Sequence, residues 1–500
     1  MSDEANMRRR VILINPPVID VGAINLDYFF RVPLGLLYIG TVLKEKGADV
    51  QIIDAKVHCE HHLQDFVRGA GDKGFYDYLN DTLLKEIAEF RPDIIGIGCL
   101  FSMSFRGLKV IAKAVKEAFP DIPIAIGGVH PKIYPSGILE KYDYIDYVVI
   151  GEGENSTVGL VSCLGDEKRV AGIDGIAFRE DGKVKVNPKK MFQQDINVWP
   201  FVDYSLVKAD DYKRDTSRWY SPRNIPINQV YPMLTSRSCP NRCTFCSTPI
   251  IHGSSIRFRT PANVLDEMEK AYREDDIRYF TFVDDNLTFD RKRTLEIFRG
   301  ILDRKMRIQF DTSGGIAIKS LDQEVVDVMV EAGMVRVNLA IESGSEFMRN
   351  KIMKKYLKTE KIYEILASCA RHKDLFITGY FVIGMPEETA ESLKQTFELI
   401  QRIELDAAAL YYATPYPGTA LFRQCIEHKL LMPSAEEYLD ADYSFFKTTA
   451  EPHFKPFGID KEDLIGFKRK VDDYMKEKRR GYGYPANYPL RYQAEASEVS

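Results

Sequence analysis

Residues 231–246 read YPMLTSRSCPNRCTFC, an apolar, strand-like run that leads into Cys239, Cys243 and Cys246 at C-x3-C-x2-C spacing. Random placement of the eight cysteines among 500 residues yields about 0.002 such patterns per chain, so the spacing carries information. Three thiolates on one short loop can hold three corners of a metal centre. A structural zinc ion asks for a fourth ligand, and His252 is the candidate nearby. A 4Fe-4S cube held by three cysteines instead leaves one iron open to a further ligand. The loop by itself leaves both open.

Outward from the cysteines, short apolar runs alternate with amphipathic stretches six times. Strands are predicted at Tyr231–Thr235, Tyr279–Val283, Ile308–Thr312, Arg336–Ile341, Ile377–Ile383 and Ala407–Tyr412. The first helix is well marked: Thr260 is placed to cap it, Pro261 takes the first position, and Val264, Leu265, Met268, Ala271 and Tyr272 form one apolar face. Six such units in series predict a partial (β/α)6 barrel. Polar and glycine-rich exceptions fall at the carboxyl ends of the strands: Asp284-Asp285-Asn286, Ser313-Gly314-Gly315, Glu342-Ser343-Gly344, Gly384-Met385-Pro386 and Pro415–Thr419. Barrel active sites are built at that rim.

Upstream, Val11–Ile14, Val50–Ile53, Ile94–Ile97, Ile122–Ile126 and Tyr147–Ile150 read as buried strands separated by helical patterns at Leu34–Lys46, Leu79–Phe90 and Leu108–Phe119. This predicts an α/β fold with a Rossmann-like, doubly wound parallel sheet. Ligands of such sheets lie beyond the carboxyl ends of the strands. Here that crevice holds Asn15-Pro16-Pro17, Gly98–Ser104, Gly127-Gly128-Val129-His130 and Gly151-Glu152-Gly153-Glu154. The dinucleotide fingerprint is missing, since prolines follow the first strand and Gly96-x-Gly98 lacks its third glycine. The expected organisation is a sheet domain at 1–165, a connector with an Asp181-Gly182 hairpin at 166–225, the barrel at 226–430, and a mainly helical C-terminal cap and tail at 431–500.

Composition narrows the function classes. The chain is 45% hydrophobic and 28% charged with a formal net charge of -5, which points away from nucleic acid as the main partner. Apolar runs such as Ile94–Phe101 are too short and too glycine-broken to predict a transmembrane segment. Arg8, Arg9 and Arg10 precede only Val11–Ile14 before Asn15-Pro16-Pro17, so no secretory signal is predicted and the expected location is cytoplasmic. Cys59, Cys99, Cys163, Cys369 and Cys425 lie far apart and read as small core residues.

The cysteine loop, with Phe245 beside Cys246, resembles the signature of the radical S-adenosylmethionine superfamily. Phe282–Asn286, Ile341–Gly344, Gly379–Thr389 and Pro415–Thr419 are similar to later motifs of its branch with an N-terminal cobalamin-binding domain. Pro33–Gly40, Ile126–Pro131 and Val149–Glu154 look like recurrent segments of that domain, and the resemblance covers residues 11 to 425. It departs at Asp20-Val21-Gly22, where many cobalamin domains carry a histidine lower ligand to cobalt and this chain has none.

The resemblance implies three cofactors: a 4Fe-4S cluster, S-adenosyl-L-methionine and cobalamin. Cys239, Cys243 and Cys246 would bind the cluster. Phe245, Asp284, Glu342, Ser343, Gly384 and Pro386 would contact S-adenosylmethionine, with loop packing and rim salt bridges as alternatives for Phe245 and Glu342. Asp284 and Asp285 would otherwise cap the following helix. Arg257 or Arg259 would pair with the cofactor carboxylate or lie exposed. Pro16, Ser102, Ser104, Gly127, Gly128, Val129, Gly151, Glu152 and Gly153 would line the cobalamin site. His130 reads as a structural histidine, while His58, His61 and His62 read as a solvated loop or a metal cluster. The expected activity is carbon methylation through a 5'-deoxyadenosyl radical and methylcobalamin. Cyclisation, rearrangement or oxidation with the same cofactors is the first alternative, and a non-catalytic sensor the second. The expected partners are a small-molecule, lipid or peptide substrate and an electron donor such as flavodoxin or ferredoxin. Tyr438, Tyr443, Phe445, Phe446, Phe454, Phe457, Tyr482, Tyr484 and Tyr488 would shape a cap over the barrel mouth or pack a core.

Overall fold

Side chains alternate between the two faces of a strand. Strand β1 (Arg10–Asn15) therefore sends Val11 and Leu13 into one apolar cluster and Ile12 and Ile14 into another. A strand buried on both sides needs cover on both sides, and the computed structural model supplies it. The model describes residues 7–18, 32–57, 75, 77–213, 221–432 and 451–481. Asp20-Val21-Gly22, His58, Cys59, His61, His62, Tyr438, Tyr443, Phe445, Phe446, Tyr482, Tyr484 and Tyr488 lie outside the described residues.

Five strands, β1 with β2 (Asp49–Asp54), β3 (Ile94–Gly98), β4 (Ile124–Gly127) and β5 (Tyr147–Val149), pair in parallel in the order 2-1-3-4-5. Helices α1 (Leu34–Glu45), α2 (Leu84–Phe90), α3 (Phe105–Ala118), α4 (Val129–Ile133), α5 (Pro135–Lys141) and α6 (Gly153–Ser162) join or follow them. Leu37 of α1 and Leu160 of α6 share the cluster of Val11 and Leu13, whereas Ile87 of α2 and Leu108 of α3 share that of Ile12 and Ile14. The sheet is thus doubly wound, with its switch point between β1 and β3.

The hairpin expected at Asp181-Gly182 forms between β6 (Ile176–Glu180) and β7 (Lys183–Asn187), with both turn residues at positive φ, 50° and 71°. It does not stand apart as a connector. It pairs antiparallel with β5, Val148 opposite Ala177, and so covers an edge that would otherwise expose unpaired backbone.

The second sheet is entirely parallel. It runs β8 (Val230–Met233), β11 (Tyr279–Phe282), β12 (Gln309–Asp311), β13 (Met334–Glu342), β14 (Phe376–Ile383) and β15 (Ala407–Tyr412), with β8 and β15 as its two edges. This is an open, partial barrel. The predicted first strand, Tyr231–Thr235, breaks after Met233. Ser236 and Arg237 turn away as β9 and pair antiparallel with β10 (Arg257–Phe258). The outer helices include α7 (Thr248–His252), α8 (Pro261–Glu274), α9 (Arg291–Asp303), α10 (Gln323–Ala332), α11 (Thr359–Ala370), α12 (Ala390–Arg402) and α13 (Ala420–Glu427). Apolar faces such as Val264 and Met268 of α8 and Ile297 and Phe298 of α9 are buried against the strands.

One apolar cluster runs from the first sheet into the barrel, and Tyr204 stacks on Tyr231 at 4.8 Å where they meet. A long helix, α14 (Lys461–Gly481), closes the described chain and sets Leu464 against Gly384. Among the described residues no helix is long and apolar enough to cross a membrane.

Candidate active site

The three cysteines sit half-buried on the loop between β9 and α7. The Cys246 amide donates to the Cys243 carbonyl (3.1 Å), which curls the loop. Its middle is clasped from the barrel: the Thr244 amide and hydroxyl donate to the Met353 and Ile352 carbonyls (3.2 and 3.0 Å), and the Leu421 amide donates to the Thr244 carbonyl (2.9 Å). Its ends are tied by Asp285, which accepts from the Ser238 amide (3.1 Å) and the Thr248 hydroxyl (3.0 Å). Ser238 is held at φ 74°, a conformation an L-residue keeps only when its surroundings impose it.

Among the described residues, no three His, Cys, Asp or Glu side chains converge as a single metal ion would require. His252 meets Glu152 through Nδ1 (3.1 Å) and forms no such group with the cysteines. A cube gives each sulfur its own iron, so the cysteines need not meet at one point, and the loop fits that group. Burial pushes the Cys243 thiol up to about 12 and the Cys246 thiol upward as well, so loading the centre must release protons.

Asn286 is buried and donates its side-chain amide to the Cys239 sulfur at 3.4 Å. Hydrogen bonds to cluster sulfurs favour the more negative, reduced state and raise the potential. Asn286→Leu is expected to move the cluster midpoint to a more negative value in a potentiometric titration followed by electron paramagnetic resonance. An unchanged midpoint would contradict this role.

Glu342 ends β13 at φ 71°, where the pairing with β14 shifts register between Ala340 and Glu342. Such irregularities re-aim a side chain beside a site. Its carboxylate accepts from the Lys355 ammonium at 2.6 Å, the rim salt bridge that the sequence left as an alternative. Burial pulls the Lys355 ammonium down, but Glu342 and then Cys243 outweigh it and hold the amine above its ordinary range. A cation is thus fixed beside the cysteine loop. Phe245 is half-buried and packs on the apolar cluster of Met348, Met353 and Met385.

Other residues expected at S-adenosylmethionine make hydrogen bonds within the protein. Asp284 is 2% exposed and accepts from the Thr235 amide (3.1 Å), the Thr235 hydroxyl (2.7 Å) and the Ser236 hydroxyl (2.6 Å). It anchors the break after β8 that launches the cysteine loop and does not cap α9, whose cap is Asp290. The Ser343 hydroxyl accepts from the Ser345 amide (3.1 Å) and meets the Thr396 hydroxyl (3.3 Å). Its carbonyl receives the wholly buried Arg349 guanidinium (2.6 Å). The Gly384 amide donates to Glu388 (3.2 Å), and the Pro386 carbonyl accepts from the Phe457 amide (2.8 Å). Arg257 and Arg259 are buried and pair with Glu152 and Glu267.

Burial pushes the Glu388 carboxyl from 4.5 up to about 7. The folded chain therefore keeps a proton that the unfolded chain gives up above about pH 4.5, and stability falls as pH rises towards about 7. Glu388→Gln is expected to remove about 3 kcal/mol of this loss. Urea unfolding at acid and mildly alkaline pH checks it, and an equal slope in both proteins would contradict it.

The first sheet shows a similar division. Leu100 (61% exposed) and Phe101 (40%) stand beyond β3, next to the switch point, and Gly127 and Val129 lie half-buried at the end of β4. An exposed apolar pair at that crevice fits the face of a large macrocycle. Ser102 and Ser104 turn inward instead: Ser102 meets the His130 ring nitrogen Nδ1 (2.9 Å), and Ser104 donates to the Phe101 carbonyl (2.9 Å). His130 is buried and lies 4.2 Å from the Phe105 ring, as a structural histidine would. Pro16 is buried. Gly128, at φ 117°, admits the Cys99 carbonyl, which an added Cβ would meet at 2.3 Å. Gly151 makes room for the Lys189 side chain, and Gly153 opens α6.

Glu152 belongs to a junction between the two sheets. It accepts two hydrogen bonds from Arg257 (2.8 and 2.5 Å) and lies 3.5 Å from Arg237, which also donates to Glu154 (2.5 Å). Burial pushes Glu152 up, but Arg257, His252 and Arg237 hold it far below the usual carboxylate range. Lys132, on α4, donates to the Ile250 carbonyl and, at 2.8 Å, to that of Ile251 in α7. The carboxyl edge of the first sheet is thereby fastened to both flanks of the cysteine loop.

Comparison with known proteins agrees with this architecture. Residues 28–161 match the B12 binding domain family and residues 233–400 the radical SAM superfamily. The chain is 30% identical over 400 residues to an uncharacterized methyltransferase of Pyrococcus horikoshii, covering 80% of each chain. It is 28% identical to cytidylyl-2-hydroxyethylphosphonate methyltransferase of Streptomyces wedmorensis, over 81% of this chain and 80% of that one. It is 24% identical to the anaerobic magnesium-protoporphyrin IX monomethyl ester cyclase of Rubrivivax gelatinosus, over 89% and 73%. Among solved structures, TsrM from Kitasatospora setae, a radical S-adenosylmethionine methyltransferase with cobalamin and a 4Fe-4S cluster bound, matches 84% of this chain and 75% of its own. The TM-score is 0.64 at 18% identity. With a sheet ordered 2-1-3-4-5 fastened to a barrel whose first loop carries the three cysteines, the chain belongs to the cobalamin-binding radical S-adenosylmethionine family.

Proposed function

We propose that the protein is a cobalamin-dependent radical S-adenosylmethionine methyltransferase that acts on an unactivated carbon. The observation that carries this reading is the junction of Glu152 and Glu154 with Arg237 and Arg257, which sets the crevice edge of the first sheet against the cysteine loop. Two cofactor sites held in one wall suit a reaction in which a radical and a methyl group must reach one substrate. When bound, the cluster and S-adenosylmethionine supply a 5'-deoxyadenosyl radical, and cobalamin supplies a transferable methyl group.

In this reading Cys239, Cys243 and Cys246 hold the cluster, Phe245 and the Glu342–Lys355 pair border S-adenosylmethionine, and Leu100, Phe101, Gly127 and Val129 face the corrin. The protein's part is positioning and exclusion of water. The substrate is a small molecule, lipid or peptide, a flavodoxin or ferredoxin supplies electrons, and the enzyme works in the cytoplasm. The methyltransferase names of the Pyrococcus and Streptomyces relatives support methyl transfer.

The cyclase relative favours a second reading, a ring closure or oxidation begun at a C–H bond. The two differ in one product. Anaerobic turnover of reconstituted, reduced enzyme on fractionated cell extract is expected to release S-adenosylhomocysteine in step with 5'-deoxyadenosine. Release of 5'-deoxyadenosine alone would support the second reading and remove the first.

A further inference from the structure

We propose that Glu152 and Glu154 are positioning residues that set the separation between cobalamin and the cluster, and so determine whether radical formation leads to transfer. The proposal rests on the methyltransferase reading and deepens it.

Glu152 caps the turn between β5 and α6, Glu154 lies in the first turn of α6, and both are buried, at 7% and 5% exposure. Their partners are not scattered over the barrel. Arg237 lies two residues before Cys239 on β9, and Arg257 is its direct partner across the β9–β10 pair. His252 ends α7, the helix that follows Cys246. The glutamates therefore grip the hairpin on which the cysteine loop is strung, and Lys132 repeats the grip on the far flank through the α7 carbonyls.

Apolar contact alone could slide between the two sheets, but a bidentate guanidinium–carboxylate pair fixes both distance and angle. A buried pair contributes little net stability once desolvation is counted, so specificity of geometry is its better-attested use. The junction also lies on the direct connection between the β4–β5 rim and the cysteines, where a displacement of one ångström would matter most. A shift of that size costs about 100-fold in rate for reactants that must meet in one geometry.

The test uses holoenzyme loaded with cluster and cobalamin, in wild-type, Glu152→Gln and Lys132→Met forms. Lys132→Met removes a tie without stranding a buried charge, and so serves if Glu152→Gln fails to fold. The readouts are iron and cobalamin content, the dipolar coupling between Co(II) and the reduced cluster by pulsed electron paramagnetic resonance, and 5'-deoxyadenosine formed per product methylated. Unchanged cofactor content, a broadened or shifted dipolar coupling, and a ratio raised about tenfold or more are expected, within the loss that misplacement allows. Glu152→Asp, which keeps the charge, is expected to restore part of the coupling. Wild-type dipolar coupling and product ratio in both altered proteins, with only a lowered melting temperature, would overturn the proposal. Absence of S-adenosylmethionine cleavage or cobalamin binding in the wild type would instead strike the functional reading beneath it.

Discussion

Cys243→Ala is expected to reduce S-adenosylmethionine cleavage to background while leaving cobalamin bound. The three cysteines share one short loop, and removing one leaves two thiolates for a group that needs three. The loss should exceed the roughly 10- to 100-fold that follows when only a hydrogen-bond partner of a ligand is removed. Cobalamin should stay because the B12 binding domain match spans residues 28–161, and the apolar clusters of that sheet do not include the loop. Iron content, the cobalamin absorption spectrum and 5'-deoxyadenosine release check the three parts separately. Retained iron with retained cleavage would remove these cysteines from the centre.

Asp284→Ala should be the most damaging substitution near the site that touches no cofactor. It strands the Thr235 amide and two hydroxyls in a wholly buried position. A stranded buried donor costs about 1–3 kcal/mol, and a total of about 3 kcal/mol is expected because the hydroxyls can turn to other acceptors. The consequence reaches function, since this carboxylate makes the chain leave β8 and enter the β9–β10 hairpin. Iron should be lost at lower denaturant concentrations than in the wild type. Asp285→Ala provides the contrast: Asp285 is exposed and holds one buried amide and one exposed hydroxyl, so its loss should cost less, about 1 kcal/mol. Denaturant midpoints with iron release followed in parallel check both, and equal effects would contradict the assignment of Asp284 as the anchor.

Much of this architecture could be read before any coordinates, wherever local chemistry decides the outcome. Thr260 caps α8 by accepting from the Asn263 amide, Pro261 opens the helix, and Val264, Leu265, Met268 and Ala271 are its buried face. Asp181-Gly182 makes the turn it was expected to make, because positive φ at two successive positions is a local demand. What could not be read was partnership across long sequence separations. Glu152 sits in a glycine-flanked turn at a cofactor crevice and reads as a ligand residue, yet its partner Arg257 lies 105 residues away. Ser102 and Ser104 lie at the end of β3 as the sequence places them, and a one-turn helix points their hydroxyls at His130 and the backbone. Asp284 carries a second signal in its place beyond β11. A carboxylate just past a buried strand, facing Thr235 and Ser236 beyond the end of the neighbouring strand, is as well suited to holding backbone as to holding a ligand.

Many polar residues at the two rims are hydrogen-bonded or ion-paired to one another, as Glu152 is to Arg257, Asp284 to Thr235 and Ser236, and Ser102 to His130. A site of that kind positions its cofactors rigidly and leaves reactivity to them.

The most direct test of the central claim is mass spectrometry of the product formed from S-adenosylmethionine carrying a trideuterated methyl group, under anaerobic turnover with a low-potential reductant. The account predicts product carrying the labelled methyl carbon, with S-adenosylhomocysteine and 5'-deoxyadenosine both released. Steady 5'-deoxyadenosine release with a product that gains no label would contradict it.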